Sequence, residues 1–330
     1  MKAVQLSRFG GPEVLELVDV PRPEPGPREL LVRVQAAGVN FADTQIRQNR
    51  YPMMPPLPAI LGMEVAGTVE SAGSGATSIP VGTRVAAALF AGGKAGGYSE
   101  YVVVSQDHVV PLPERVSFAD ATALMIQGLT ALYMIRRVDP RGKTVLVTAA
   151  AGGVGTLLVQ LARNAGAKTV IGAVGSPEKR ELVTSLGASA CVSYGKPDWV
   201  AEARAANGGA GFDLILESVG GDVMPACLTA LALKGEIVLY GALNFASFAL
   251  GPAELGGLVF GNQSVTGFGL NSLLTDAGLR EGLTELLALV NDRKIKIVSG
   301  GSYAFADAGA AHRALEERKT TGKVNLQPVK

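Results

Sequence analysis

The hydrophobic pattern changes character once along the chain. Up to about residue 120, short β-branched runs at 30–34, 67–71 and 101–104 are separated by Gly and Pro clusters. Prolines at 21, 23, 25 and 27 make that stretch a rigid connector, because proline fixes φ and has no N–H to donate. Such spacing predicts a β-rich domain with a folded-over sheet. From about 120 onward, apolar runs alternate with helical periodicity. Residues 119–138 read as a helix and 144–149 as a continuous buried strand. Val154, Leu157, Leu158 and Leu161 recur at i, i+3, i+4 and i+7, a single helical face that stops at Gly166. Strands are predicted at 169–174, 190–194, 212–219, 236–240 and 264–269, and helices at 177–186, 198–206 and 223–233. A Gly-rich loop follows Leu243. Buried strands alternating with helices predict a parallel sheet covered on both faces, an α/β doubly wound domain. Leu279, Leu283, Leu286, Leu287 and Val290 then form a strong amphipathic helix, and short strands return near Tyr303 and at 323–326. This tail is expected to rejoin the β-rich domain, giving a discontinuous domain of 1–120 and 270–330 around a nucleotide-binding domain of 121–269.

The strand at 144–149 runs into a glycine turn and then a helix. Ala150, Gly152 and Gly155 occupy the Gly-x-Gly-x-x-Gly positions, with Ala at the first. Strand, turn and helix in that order aim backbone N–H groups and a helix N-terminus at a diphosphate. Gly152, Gly153, Val154 and Gly155 are therefore candidate cofactor contacts. Which dinucleotide binds is decided at the end of the second strand. An NAD site carries Asp or Glu there to accept from the ribose hydroxyls. This chain has Gly175 and Ser176, then Lys179 and Arg180. A hydroxyl and two cations suit a 2′-phosphate. Ser176 as N-cap, with Pro177 at the first helical position, would add a helix dipole. Tyr194, ending the third strand, offers a further donor. These residues point to NADPH.

Composition narrows the setting. A net charge of +1 and no long basic run argue against nucleic acid as a partner. No apolar run approaches the roughly 18 residues of a membrane span. The N-terminus reads as a strand rather than a signal peptide. Two cysteines, Cys191 and Cys227, cannot build a disulfide framework and fit a reducing, cytoplasmic location.

The segments Ala37-Gly-Val-Asn-Phe-Ala-Asp43, Leu61-Gly-Met-Glu-Val-Ala-Gly67, Gly128-Leu-Thr-Ala131, Ala149-Ala-Ala-Gly-Gly-Val-Gly155 and Gly322-Lys-Val324 stand in one order over nearly the whole chain. In them the chain resembles the medium-chain dehydrogenase/reductase superfamily, and within it the zinc-independent quinone oxidoreductase branch. The resemblance implies a GroES-like catalytic domain, a Rossmann domain and a homodimer, with the strand at 264–269 pairing across a two-fold axis. Zinc-dependent relatives carry Cys and His near the positions of Asn40 and Met63, and residues 82–97 hold no Cys. No metal site is expected. The two histidines are His108 and His312, and His108 is read as structural or solvated.

By the same resemblance, Asn40 lies beside the nicotinamide, where its amide donors hold the cofactor or an acceptor oxygen. Tyr51 matches a proton-donating Tyr of 2-enoyl thioester reductases, though an aromatic lining the cleft is the alternative. A phenol can protonate an enolate at neutral pH. Gln45 stands where quinone reductases often carry a second Tyr. Asp43 is read as a turn-stabilising carboxylate rather than a base. Thr130, Ser218, Gly241, Ala242, Phe268 and Gly269 are expected along the cofactor cleft, with Lys323 approaching from the catalytic domain. The expected activity is NADPH-dependent reduction of quinones or conjugated enones and aldehydes without zinc. A 2-enoyl thioester reductase, with Arg47 and Arg50 as a basic mouth, is the first alternative. A low-turnover NADPH-binding structural or RNA-binding protein is the second.

Overall fold

The computed structural model describes residues 1–241 and 249–328. Packing divides the chain into two units, Met1–Leu129 with Leu273–Lys330, and Thr130–Ser272. Residues 121–129, expected with the nucleotide-binding domain, pack with the first unit. Ile126 N–H donates to Glu64, and Gly128 lies against Leu286.

The first unit opens with β1 (Lys2–Leu6) and β2 (Leu15–Asp19), an antiparallel pair. Next come β3 (Glu29–Val39), α1 (Phe41–Arg47), β4 (Ala59–Ile60), β5 (Glu64–Ala72), β6 (Arg84–Ala88), β7 (Tyr101–Ser105) and β8 (Val109–Pro111). The long β3 pairs antiparallel with β5 and β7, β5 with β6, and β6 with β8. Two irregularities in the β3–β5 register bend the sheet over a core that includes Leu30, Val32, Val34, Val65 and Val85.

The helix expected over 119–138 is interrupted. It consists of α2 (Phe118–Thr122), a π segment at Leu124–Gly128 and α3 (Leu129–Val138). The Gly128 N–H reaches Ala123 O at 2.9 Å, one residue further back than in an α-helix.

The second unit holds β9 (Thr144–Val147), α4 (Gly153–Asn164), β10 (Thr169–Val174), α5 (Arg180–Ser185), β11 (Ala190–Ser193), α6 (Trp199–Ala206), β12 (Phe212–Glu217), α7 (Val223–Ala230), β13 (Leu231–Leu239), α8 (Pro252–Gly261) and β14 (Ser264–Gly267). Its six strands run parallel in the order β11-β10-β9-β12-β13-β14, the Rossmann arrangement. The apolar face of α4 buries Leu157, Leu158 and Leu161 as its periodicity predicts. Three expectations are corrected. The helix expected at 223–233 ends at Ala230, because Leu231 already pairs with Phe212. The helix expected at 177–186 is a 3₁₀ turn at Pro177–Lys179 followed by a six-residue α5. Part of the expected Gly-rich loop is α8, started by Pro252, with Glu254 accepting the Gly251 N–H at 2.9 Å. β14 is a sheet edge, and Leu255, Val259 and Phe260 of α8 are exposed.

The chain returns to the first unit with α9 (Asp276–Asn291), β15 (Ser299–Ala304), α10 (Ala308–Glu316) and β16 (Lys323–Gln327). β16 pairs antiparallel with β3, Val324 opposite Val39, and so closes the seven-stranded sheet. The unit is GroES-like. Among the described residues, no helix is long and apolar enough to cross a membrane.

Candidate functional site

In the second unit, β9 delivers the chain to Ala149, whose φ of +45° is left-handed. The Ala149 carbonyl accepts the Gly152 N–H at 2.8 Å, and the Ala150 N–H bonds Ala173 O at 3.0 Å, tying the turn to β10. Gly152 is extended, and Gly153 starts α4. A Cβ on Gly155 would stand 2.2 Å from the Ala149 carbonyl, so only glycine lets the helix approach the turn this closely. The first bond of α4 runs from Thr156 N–H to Gly152 O at 2.9 Å. The N–H groups of Gly153, Val154 and Gly155 precede it and have no carbonyl of the helix to meet. That cradle fits a diphosphate.

Beyond β10, a Cβ on Gly175 would lie 3.2 Å from the Tyr194 hydroxyl, so Tyr194 stands over the strand end. Its N–H bonds Val174 O at 2.9 Å. Ser176 has the extended backbone of an N-cap but makes no capping bond. Its hydroxyl serves Glu178, whose carboxyl that bond holds below the usual range. The expected helix dipole is thus reduced to a 3₁₀ turn and a short helix. Lys179 ends that turn. Arg180, expected to face the ligand, pairs with Glu202 of α6 at 3.0 Å.

The C-terminal end of β12 carries a buried carboxylate absent from the sequence reading. Glu217 Oε1 accepts the N–H groups of Val219 (2.7 Å) and Gly220 (3.1 Å) and the Thr148 hydroxyl (3.3 Å). Burial raises its pKa against these donors. The Ser218 N–H reaches Thr148 Oγ1 at 3.1 Å, and a Cβ on Gly241 would meet Ser218 Cβ at 2.6 Å. Thr148, Ser218 and Gly241 therefore gather at one end of the sheet. Phe268 bonds Leu239 O through its N–H at 2.8 Å, and Gly269 accepts from Ser272 Oγ at 3.0 Å. Thr130 is buried on α3. Ala242 lies outside the described residues.

In the first unit, Asn40 directly follows β3 and caps α1. Asp43 Oδ2 accepts its backbone N–H at 2.8 Å, the turn-stabilising role read from the sequence. The Asn40 side chain donates from Nδ2 to Glu64 Oε1 at 2.7 Å and accepts at Oδ1 from Lys323 Nζ at 2.9 Å. Glu64 and Lys323 form a buried salt bridge. Sequence alone gives Asn40 and Lys323 separate roles and gives Glu64, within the 61–67 segment, none. One Asn40 donor, expected to be open, is thereby taken.

Tyr51 is half-buried and packs on the core that Met54 and Leu57 also flank. Burial, and then the Asp43 charge, raise its phenol, which stays protonated at neutral pH. Burial pushes Asp43 itself up to about 7. Its Oδ1 makes no hydrogen bond, although the Gly62 N–H and the Tyr98 hydroxyl lie close enough to act on it. The Tyr98 hydroxyl is 3.1 Å from His312 Nε2. Burial, then the Arg47 charge, lower His312 to about 3. Arg47 is not at a basic mouth. Its buried guanidinium bonds Gly10 O at 2.5 Å and pairs with Glu316. His108 stands 3.0 Å from Asp276, a structural contact. Among the described residues, no group of three His, Cys, Asp or Glu is arranged to hold a metal.

Residues 26–114 match the alcohol dehydrogenase GroES-like domain, and residues 153–291 match the zinc-binding dehydrogenase family. The quinone oxidoreductase of Pseudomonas aeruginosa is 38% identical over 331 residues, 99% of each chain. The Escherichia coli quinone oxidoreductase solved in complex with NADPH is 34% identical with a TM-score of 0.90, covering 99% of this chain and 100% of that one. A mycobacterial protein solved in complex with NADPH is 37% identical with a TM-score of 0.89, at the same coverage. With that likeness over the full length, the chain belongs to the medium-chain dehydrogenase/reductase superfamily, in its quinone oxidoreductase branch.

Proposed function

We propose that this chain is an NADPH-dependent oxidoreductase that reduces quinones or conjugated enones and aldehydes without zinc. The observation that carries this reading is the cradle after β9 together with the end of β10. There Gly175, Ser176, Lys179 and Tyr194 replace the carboxylate of an NAD site. The NADPH complexes of two full-length relatives support it. Gly152 to Gly155 would hold the diphosphate. Ser176, Lys179 and Tyr194 would hold the 2′-phosphate, with Arg180 turned to Glu202 as outer support. Thr130, Ser218, Gly241, Ala242, Phe268, Gly269 and Lys323 are proposed as further contacts.

Bound there, NADPH supplies the hydride. Negative charge then grows on the acceptor oxygen and needs a donor. The remaining Asn40 N–H is suited to that task, since Glu64 uses only one of the two. Tyr51, kept protonated by its surroundings, is suited to deliver the proton that a conjugated enone requires at carbon. Asn at 40 and Met at 63 lack the ligand chemistry of a zinc centre. The edge of β14 and the exposed apolar face of α8 support a homodimer. Two buried, unpaired cysteines support a reducing compartment.

The test is NADPH consumption against a quinone, an enone and crotonyl-CoA, each repeated with NADH and with a chelator. Turnover of quinone or enone, with NADPH favoured and the chelator without effect, is expected. Exclusive turnover of crotonyl-CoA, or loss of activity on chelation, overturns the reading.

A further inference from the structure

Asn40 is held between two groups whose hydrogen-bonding characters are opposite and fixed. A carboxylate only accepts, and an ammonium only donates. With Glu64 on its Nδ2 side and Lys323 on its Oδ1 side, the amide has one orientation. Turned over, it would face Nδ2 to an ammonium and Oδ1 to a carboxylate. Burial makes that mismatch costly, because Asn40, Glu64 and Lys323 are each at most 4% exposed.

Separate parts of the unit hold the two arms. Glu64 Oε2 accepts the N–H of Ile126, inside the π segment, at 2.8 Å. Lys323 comes from β16, and the Asn40 backbone is fixed by Asp43. Gly38 makes the approach possible, since a Cβ there would stand 2.3 Å from Glu64 Oε1.

We infer that Glu64 is a positioning residue: with Lys323 it locks the Asn40 amide so that the group offers its second N–H, and not its carbonyl, to the oxygen that gains charge. The site thereby favours ligand oxygens that accept over hydroxyls that donate. This inference rests on the reading of Asn40 as a residue that touches the reactants.

The experiment combines Glu64→Gln and Asn40→Ala, singly and together. The readouts are kcat with a quinone at saturating NADPH, NADPH affinity by fluorescence, and Tm. Gln keeps the shape but can donate as well as accept, so the polarity is no longer imposed. Glu64→Gln is expected to lower kcat about 10- to 100-fold, with NADPH affinity kept within about 3-fold. In the Asn40→Ala background the same change is expected to alter kcat by less than about 2-fold. If Glu64→Gln leaves Lys323 too costly to bury, Glu64→Gln with Lys323→Met restores neutrality, and its kcat at saturating NADPH with and without Asn40 carries the comparison for the pair that holds the amide. Wild-type kcat in a folded Glu64→Gln, or an equal loss with and without Asn40, overturns the positioning role while the reading of Asn40 stands. An Asn40→Ala enzyme with undiminished kcat overturns both.

Discussion

Replacing Asp43 by Asn gives the sharpest test of the buried network. Burial lifts the Asp43 carboxyl from an ordinary 3.8 to about 7. Between those values the folded state keeps a proton that the unfolded chain has released. Stability is therefore lost as pH rises through that window. The gap of roughly 3 units is worth about 4 kcal/mol at 1.36 kcal/mol per unit. His312 acts in the opposite sense. Burial lowers it from 6.5 to about 3, so the folded state refuses a proton that the unfolded chain accepts. Its contribution is lost as pH falls from 6.5 toward 3, about 5 kcal/mol over the full span. Between pH 4 and 6.5 the two slopes largely cancel in the native protein. Asn at 43 keeps an oxygen for the Asn40 N–H but removes one slope. The variant should gain about 3 kcal/mol at pH 7.5, after about 1 kcal/mol for a weaker neutral bond. For a unit of this size, that is a Tm about 6–12 °C higher. It should also show a stability that rises with pH across 4–6.5, the His312 slope now exposed. Thermal melts of both proteins from pH 4 to 8 give the comparison. If the curves stay parallel, or the variant is less stable at pH 7.5, the argument fails. The Gly62 N–H, the Tyr98 hydroxyl and the Lys323 ammonium would then outweigh burial and keep Asp43 ionised.

Lys179→Ala should weaken NADPH binding about 10- to 100-fold while moving NADH less than about 3-fold, measured by titration. Equal losses for both would defeat the 2′-phosphate assignment. Tyr51→Phe should lower kcat for an enone about 10- to 100-fold and spare a quinone that takes protons from water. An unchanged enone rate would reduce Tyr51 to lining. Phe260→Asp, at an 88% exposed position on α8, should shift the particle mass toward the monomer in light scattering. A mass identical to the native protein's would remove α8 from the interface.

The Rossmann unit was legible because its strands are buried on both faces and so read as continuous apolar runs, as in Thr144–Val147 and Thr169–Val174. Its glycine turn was legible because each glycine answers a local steric demand. The break at Leu124–Gly128 was not, since its apolar residues continue a helical rhythm, and the contact found inside it, Ile126 N–H to Glu64, comes from another strand. Glycines at 256, 257 and 261 hid α8, although Pro252 and Glu254 carried a start signal. Asn40, Tyr51 and Lys323 enter the candidate site through segment resemblance. Glu64, Tyr98 and His312 carry no such signal: the side-chain partners of Glu64 lie 24 and 259 residues away, and Tyr98 and His312 are 214 residues apart, distances at which periodicity carries no information.

The late arrival of β16 bears on how the protein is made. Asn40 and Lys323 stand 283 residues apart, and the whole nucleotide unit is synthesised between them. That unit is contiguous, so it can condense while the β3 sheet still lacks a neighbour. The chain's lone tryptophan, Trp199, belongs to the early unit and is packed in its core. Refolding followed by its fluorescence should therefore run ahead of recovered catalysis, with the lag set by the time the last strand takes to find its place.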